Sequence, residues 1–509
     1  MRPLDDLLDA KGSFGPGAAA RVGELLETLR RTRLRKPADL IALHEAALYF
    51  RAYPHNARVL RLADALLQDF ASRLTRLDRS PFEDPEVSGI AGTAVSTNFS
   101  YDFARDLVHR HGRALRIDWD NYRHPERLGA VLARLSTDSA QDAPGARSLG
   151  GPLSAGPRAR RLALPGAAED WTVEPHVDWR SWWETVRGGL PWLIDRIDPG
   201  TYDLLEIPLV WDLESTSAAR TLTRLPRREV FYHHGPLLRR RDVSLESEFA
   251  GPRIVTERLT RARAARIFAV IQTTSAVRYR ELWGFSHPDL DHFYRADFGR
   301  GVDFYFFGVP REWRLPLRAY HGGMYFKNGV PLGYFEGLSL FERLESGFNL
   351  YPTFREGETA WLYVRTLKLF REQFGIRVVS IDPYQLGKGN EEAIASGAFW
   401  FYRKLGFRPA AADVVRLMEK EEAKIAGQAG YRTPPATLRR LSRRPLFYGP
   451  ADDWAHFSTH ELALRWKAHS PDVQRAKNAP EESTYLRRLQ RDPRQRQAML
   501  RQGIPTPDS

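Results

Sequence analysis

Residues 350–360 read Leu350-Tyr-Pro-Thr-Phe-Arg-Glu-Gly-Glu-Thr-Ala360, which puts a cation, Arg355, and a glycine, Gly357, just ahead of a helix-forming run. A tight turn into a helix N-terminus exposes backbone N–H groups, and the helix dipole favours an anion there, so the spacing suits a phosphate. Glu356 and Glu358 flank the same turn and oppose one. A second cluster, His287-Pro-Asp289-Leu-Asp291-His292, has the side-chain types that bind a divalent metal. No helical or hairpin frame fixes its geometry and Pro288 suggests a turn, so a polar loop without metal is expected. His109, His111, His233 and His234 read as surface or capping residues. The chain has no Gly-x-Ser-x-Gly elbow, no P-loop and no complete dinucleotide fingerprint. It has no cysteine among 509 residues, which removes disulfides, thiolate-bound zinc and a thiol nucleophile.

The elements able to position such residues are clearest over 301–409. Val302 to Val309 is a strand dense in aromatics. Tyr320–Lys327 and Val330–Phe341 flank Asn328-Gly329, the signal of a two-residue type I′ hairpin turn. Ser346 to Phe354 reads as a short strand. Thr359 to Phe374 reads as a helix with Tyr363, Leu367, Phe370 and Phe374 on one face and Gly375 as its stop. A strand over Ile376 to Tyr384 follows. The last element is an amphipathic helix capped by Asn390 and stopped by Gly406, with Ile394, Ala398, Phe401 and Leu405 on one face and Tyr402 beside them.

This order of hairpin, strand, helix, strand, helix resembles the core of the GNAT acyltransferase superfamily. Asn328-Gly329-Val-Pro-Leu-Gly333 is similar to that family's hairpin motif. Residues 350–360 resemble its coenzyme A pyrophosphate loop, one residue short, and Asn390 to Gly406-Phe407 resembles its last conserved helix, lengthened between Asn390 and Tyr402. The resemblance is confined to residues 301–409. It implies an α+β fold, a mixed sheet with flanking helices, and transfer of an acyl group from acetyl-CoA or another acyl-CoA to a small-molecule or peptide amine. Leu350, Tyr351, Phe354, Arg355, Gly357, Glu358, Thr359 and Asn390 would then contact the donor, with the thioester in a gap between the strand before the loop and the strand after it. Tyr402 would protonate the leaving thiolate. Glu336, or in second place Asp382, would take the proton of the amine. No metal is implied. Fem-type aminoacyl transferases, which pair two such lobes and use aminoacyl-tRNA, are the alternative, and a non-catalytic binding module on the same fold is a third reading.

Around this core, residues 1–136 read as an all-α region, with stripes through Leu40, Leu43, Ala47 and Phe50 and through Val59, Leu62, Leu66 and Phe70. Residues 137–170, rich in Gly, Pro, Ala and Ser, read as a flexible linker. Residues 171–300 are mixed, with a helix expected over Leu259 to Leu282 and a role as a further lobe of the catalytic unit. Residues 410–509 read as a helical, basic extension carrying Arg439, Arg440, Arg443, Arg444, Arg487, Arg488, Arg491, Arg494 and Arg496. The net charge of +13 and pI near 9.8 admit a polyanion such as tRNA, though an arginine-rich solvated surface needs no partner. No secretory signal and no membrane-spanning run is evident, so a cytoplasmic protein without membrane partners is expected.

Overall fold

The computed structural model describes residues 2–75, 77–141, 179–186, 188–214, 217–451, 454–455 and 458–469. Prolines open several helices, where a fixed φ and a missing N–H cost nothing: Pro3–Asp9, Pro16–Arg31 and Pro37–Ala52 all start this way. Ala57–Gln68 starts instead from Asn56, whose side chain accepts the Val59 N–H. Pro37–Ala52 is buried along most of its length, and its Leu40, Leu43 and Phe50 share one apolar core with Tyr325, Phe335 and Phe354 of the sheet region. The expected all-α region over 1–136 is corrected at two places. β1 (Ala94–Thr97) and β2 (Leu115–Ile117) are strands, and both pair with β3 (Leu209–Asp212) in a small antiparallel sheet.

A nine-stranded sheet organises the rest. Its strands are β4 (Val255–Arg258), β5 (Phe293–Gly299), β6 (Val302–Gly308), β7 (Ala319–Lys327), β8 (Val330–Leu340), β9 (Arg343–Leu350), β10 (Val378–Ile381), β11 (Arg408–Pro409) and β12 (Leu446–Tyr448). They lie in the order β11-β12-β10-β9-β8-β7-β6-β5-β4. Strands β4 to β9 form an antiparallel meander, β9 and β10 run parallel, and β12 returns antiparallel between β10 and β11. The sheet thus exceeds the expected 301–409 unit on both sides. β4 and β5 extend it from the middle region, and β12 extends it from a segment expected to be helical.

The β7–β8 hairpin turns at Asn328-Gly329 as the dipeptide predicts, with φ +50° and +82° and Lys327 opposite Val330. Asn328 also holds the turn against its surroundings: its side chain accepts the Phe231 N–H and donates to the Ala52 carbonyl. Helix Thr359–Phe374 covers one face of the sheet, where Phe335 meets Phe370 at 5.0 Å. Helix Arg261–Ala276, shorter than the stretch expected from Leu259 to Leu282, covers the other face through Phe268 against Phe307. Of the expected linker, only 137–141 is described, and it continues the helix Pro125–Gln141. The remainder of the linker, and Arg487, Arg488, Arg491, Arg494 and Arg496, lie outside the described residues. No helix among the described residues is long and apolar enough to cross a membrane.

Candidate active site

The parallel pair β9–β10 is short. Arg343–Glu345 lie beside Val378–Ser380, but β9 runs on to Leu350 while β10 stops at Ile381. Asp382 there accepts the Tyr384 N–H at 2.8 Å and starts the turn of helix Pro383–Leu386, carrying the chain out of the sheet. Residues Ser346–Leu350 therefore keep their partners on β8 and, among the described residues, have no strand on the other side. The two strands thus part as a wedge beyond Glu345 and Ser380.

On the helical face of the wedge, Tyr363 donates to the Ser346 hydroxyl at 3.2 Å, and the Tyr402 ring meets Tyr363 at 5.5 Å. Tyr402 is 4% exposed, and its hydroxyl makes no hydrogen bond with a described residue. Burial pushes its phenol well above the ordinary value, so it carries its proton at neutral pH. The single helix expected over 391–405 is two, Glu391–Ser396 and Ala398–Arg403. Gly397 separates them with φ +67°, a left-handed conformation that glycine adopts without a Cβ clash. The break absorbs the extra residues between Asn390 and Tyr402. Asn390 itself caps the first piece by accepting the Ala393 N–H at 3.1 Å, so its side chain is committed to the helix.

On the opposite face, β8 alternation sends Glu336 away from the side on which Phe335 packs. Its register neighbours are Gly322 on β7 and Gly347 on β9, so neither strand raises a side chain beside it. Tyr320 donates its hydroxyl to the Glu336 carboxylate. Burial pushes the Glu336 carboxyl up, and the Tyr320 hydrogen bond pulls it only part of the way back. Glu345 shares this face. Burial raises its carboxyl too, against the opposing effect of Arg343 at 3.9 Å. Asp382 differs from both: it is exposed and engaged as a helix cap. Sequence reasoning missed Tyr320 and Glu345. Regular counting outward from Asn328-Gly329 would set Tyr320 opposite Gly337, on the other face; the bulge between Tyr325 and Phe326 moves it opposite Leu338 and so onto the face of Glu336, a shift with no signal in the sequence.

The expected phosphate turn is corrected. Phe354 is core, and Tyr351 lies under the Arg278 guanidinium, 4.1 Å from its ring. A Cβ on Gly357 would collide with the Tyr53 hydroxyl, so this glycine serves close packing against the N-terminal helices. Glu358 is buried at the helix N-terminus, where it accepts from Arg300 at 2.8 Å, Lys327 at 3.3 Å and the Leu238 N–H at 3.2 Å. Burial lowers the Lys327 ammonium to about 7, with Glu358 opposing that fall. The chain's own carboxylate thus supplies negative charge where a phosphate was expected. Thr359 donates to the Arg355 carbonyl at 2.8 Å. Arg355 remains exposed at the mouth of the wedge, donating to the Leu350 carbonyl at 3.1 Å and pairing with Glu392 at 2.5 Å.

The remaining histidines have other duties. His292 pairs with Asp289 at 2.7 Å and His287 stacks on Trp313 at 4.0 Å. Among the described residues no three His, Asp or Glu converge as a metal site. His233, expected at the surface, is buried against Phe14, Tyr53 and Phe231. A cleft of about 810 Å³ opens beside β2 and holds His109 and His111. It is lined by none of the residues around the wedge, and His109 there pairs with Asp195 at 3.1 Å. A smaller cleft, about 360 Å³, lies beside Tyr320. Compared with known proteins, the sequence matches no family model and no curated protein, and no solved structure matches it either.

Proposed function

We propose that the protein is an acyltransferase that moves an acyl group from a thioester donor to an amine in the wedge between β9 and β10. The observation that carries the reading is the wedge itself, flanked by the phenol of the buried residue Tyr402 on one face and the half-buried carboxylate of Glu336 on the other. The amine nitrogen attacks the thioester carbonyl carbon. The C–N bond forms, the C–S bond breaks, the amine proton passes to Glu336 and the departing thiolate takes the phenolic proton of Tyr402. The Tyr320 hydrogen bond holds Glu336 in place on its face of the sheet. Acyl-CoA is the donor first considered, with Arg355 the cation at the mouth.

One observation favours the second reading, an aminoacyl-tRNA donor. The turn expected to hold the CoA pyrophosphate is closed by Tyr53 and Glu358. A donor without a pyrophosphate in that place has no need of the turn, and the net charge of +13 suits a polyanion. The test is transfer from acetyl-CoA and longer acyl-CoAs to a panel of amines, run beside transfer from charged tRNA. Thiol release that requires both enzyme and amine supports the first donor. Loss of aminoacyl-tRNA, with none of the thioesters consumed, supports the second.

A further inference from the structure

The cleft of about 360 Å³ beside Tyr320 falls in the size range of small-molecule sites. Two tryptophans form its walls while remaining open to solvent: Trp283 is 53% exposed and Trp313 is 45% exposed. Their orientation is fixed. The Trp283 indole donates to the Trp313 carbonyl, His287 stacks behind Trp313, and the two indoles lie 6.4 Å apart at 62°. Gly284 lets the short helix Trp283–Ser286 sit directly on the Tyr320 ring, since a Cβ there would strike that ring. Tyr320 and Leu338, opposite each other on β7 and β8, line the inner side. Tyr320, which lines the cleft, donates to Glu336, which lies behind it and does not itself line the cleft. Arg318 lines the cleft too. It is 6% exposed, and its Nε has no hydrogen-bond partner. The nearby charged groups are Glu312 and Arg314, which also line the cleft and of which Arg314 donates to the Arg318 carbonyl, Glu345, which draws on Arg318 through space, and His460, whose Nδ1 lies 3.5 Å from the guanidinium.

We infer that this cleft holds the acyl acceptor, an amine borne at one end of a flat apolar body whose other end carries a carboxylate. The flat body lies against Trp283 and Trp313, the carboxylate meets Arg318, and the amine points past Tyr320 toward Glu336. Strand geometry sets the separation of the two ends. Arg318 immediately precedes β7 and Gly322 stands opposite Glu336, so the two anchoring positions are about 13 Å apart along the strand before their side chains converge. An α-amino acid, with both charges on one carbon, is too short to reach both. The inference rests on the acyltransferase reading, but binding can be measured without it.

The experiment is calorimetric titration of the full chain, without donor, with 4-(aminomethyl)benzoate, benzylamine and benzoate. The first should bind about ten- to a hundred-fold more tightly than benzylamine, the range for a hydrogen bond to a charged group. Trp283→Ala, at an exposed position, should weaken it at least about five-fold, as loss of an aromatic wall does. Arg318→Lys should keep the fold and the charge but narrow the gap between the first probe and benzylamine. Equal binding of 4-(aminomethyl)benzoate and benzylamine, an unchanged affinity in Trp283→Ala, or binding of none of the probes overturns the inference. Binding as expected, with no transfer from any donor, leaves the cleft standing and removes the acyltransferase reading. Transfer whose KM ignores both Trp283 and the carboxylate does the reverse.

Discussion

Tyr402→Phe separates a catalytic phenol from a packing one. The ring contacts survive the change, with Tyr363 at 5.5 Å and Phe407 at 5.8 Å. The hydroxyl leaves no described partner unpaired, so stability should stay within about 1 kcal/mol of the parent, whereas losing a buried hydrogen-bonded hydroxyl costs ~1–3 kcal/mol. Catalysis should respond differently. A proton delivered to the leaving thiolate typically contributes ~10²–10⁴-fold, which is ~2.7–5.4 kcal/mol of barrier at 1.36 kcal/mol per decade. The assay is thiol release from an acyl donor with amine present, alongside a thermal melt. A donor with a more acidic thiol needs less help from an acid, so its loss in Tyr402→Phe should be smaller. Unchanged turnover with an unchanged melt would refute the reasoning. Equal losses for both thiols would refute the proton transfer while leaving some other role for the hydroxyl.

Three further changes probe the surroundings. Glu336→Gln should lower transfer by ~10²–10⁴-fold and abolish the acidic limb of the kcat/KM profile, which in the parent should lie above the ordinary carboxylate range. Its stability effect has a definite sign. The folded state holds the Glu336 proton to higher pH than the unfolded chain does, so this stabilisation is full below the unfolded value and is lost as pH rises through the folded one; the Gln variant, lacking that loss, should gain on the parent in this window on chemical denaturation. Glu358→Gln leaves Lys327 buried without its carboxylate and should cost about 3 kcal/mol. Because Lys327 loses its charge at about 7, the deficit should be larger near pH 6 than near pH 8.5 in urea melts. Gly329→Ala forces a left-handed residue at φ +82° and drives a Cβ into the Leu225 carbonyl, so it should lower stability by roughly 2–4 kcal/mol; a melt within 1 °C of the parent would contradict the turn geometry.

Much of the central sheet was legible because its signals are local. Asn328-Gly329 fixes a turn through the φ angles it tolerates, and the period of Tyr363, Leu367 and Phe370 fixes a helix that Gly375 ends with φ +67°. The short parallel contact of β9 and β10 is also foreshadowed by a helix of sixteen residues between them, which parallel neighbours need. Other features depend on partners far away in the chain. Gly357 and Glu358 looked like an anion turn, yet they meet Tyr53, Arg300 and Lys327, and no local pattern announces such a meeting. The strands β11 and β12 escaped notice because two or three residues give no period to read. Gly397 was hidden inside an apolar stripe read through Ile394, Ala398 and Phe401, whereas after the break the buried positions are Phe399 and Tyr402. Trp283 and Trp313 carried no signal of a cleft, because their juxtaposition is made by a short helix and a loop that the sequence separates.

The central claim is that the acyl donor lies in the wedge, and hydrogen exchange tests it most directly. Amides of Ser346–Leu350 and of the segment after Ile381 should gain protection when acetyl-CoA, or in a parallel sample charged tRNA, is added, while β4 to β6 exchange unchanged. Protection confined to these segments with either donor is the predicted result. Donor binding that protects other regions and leaves Ser346–Leu350 exchanging as in the free protein would contradict the account.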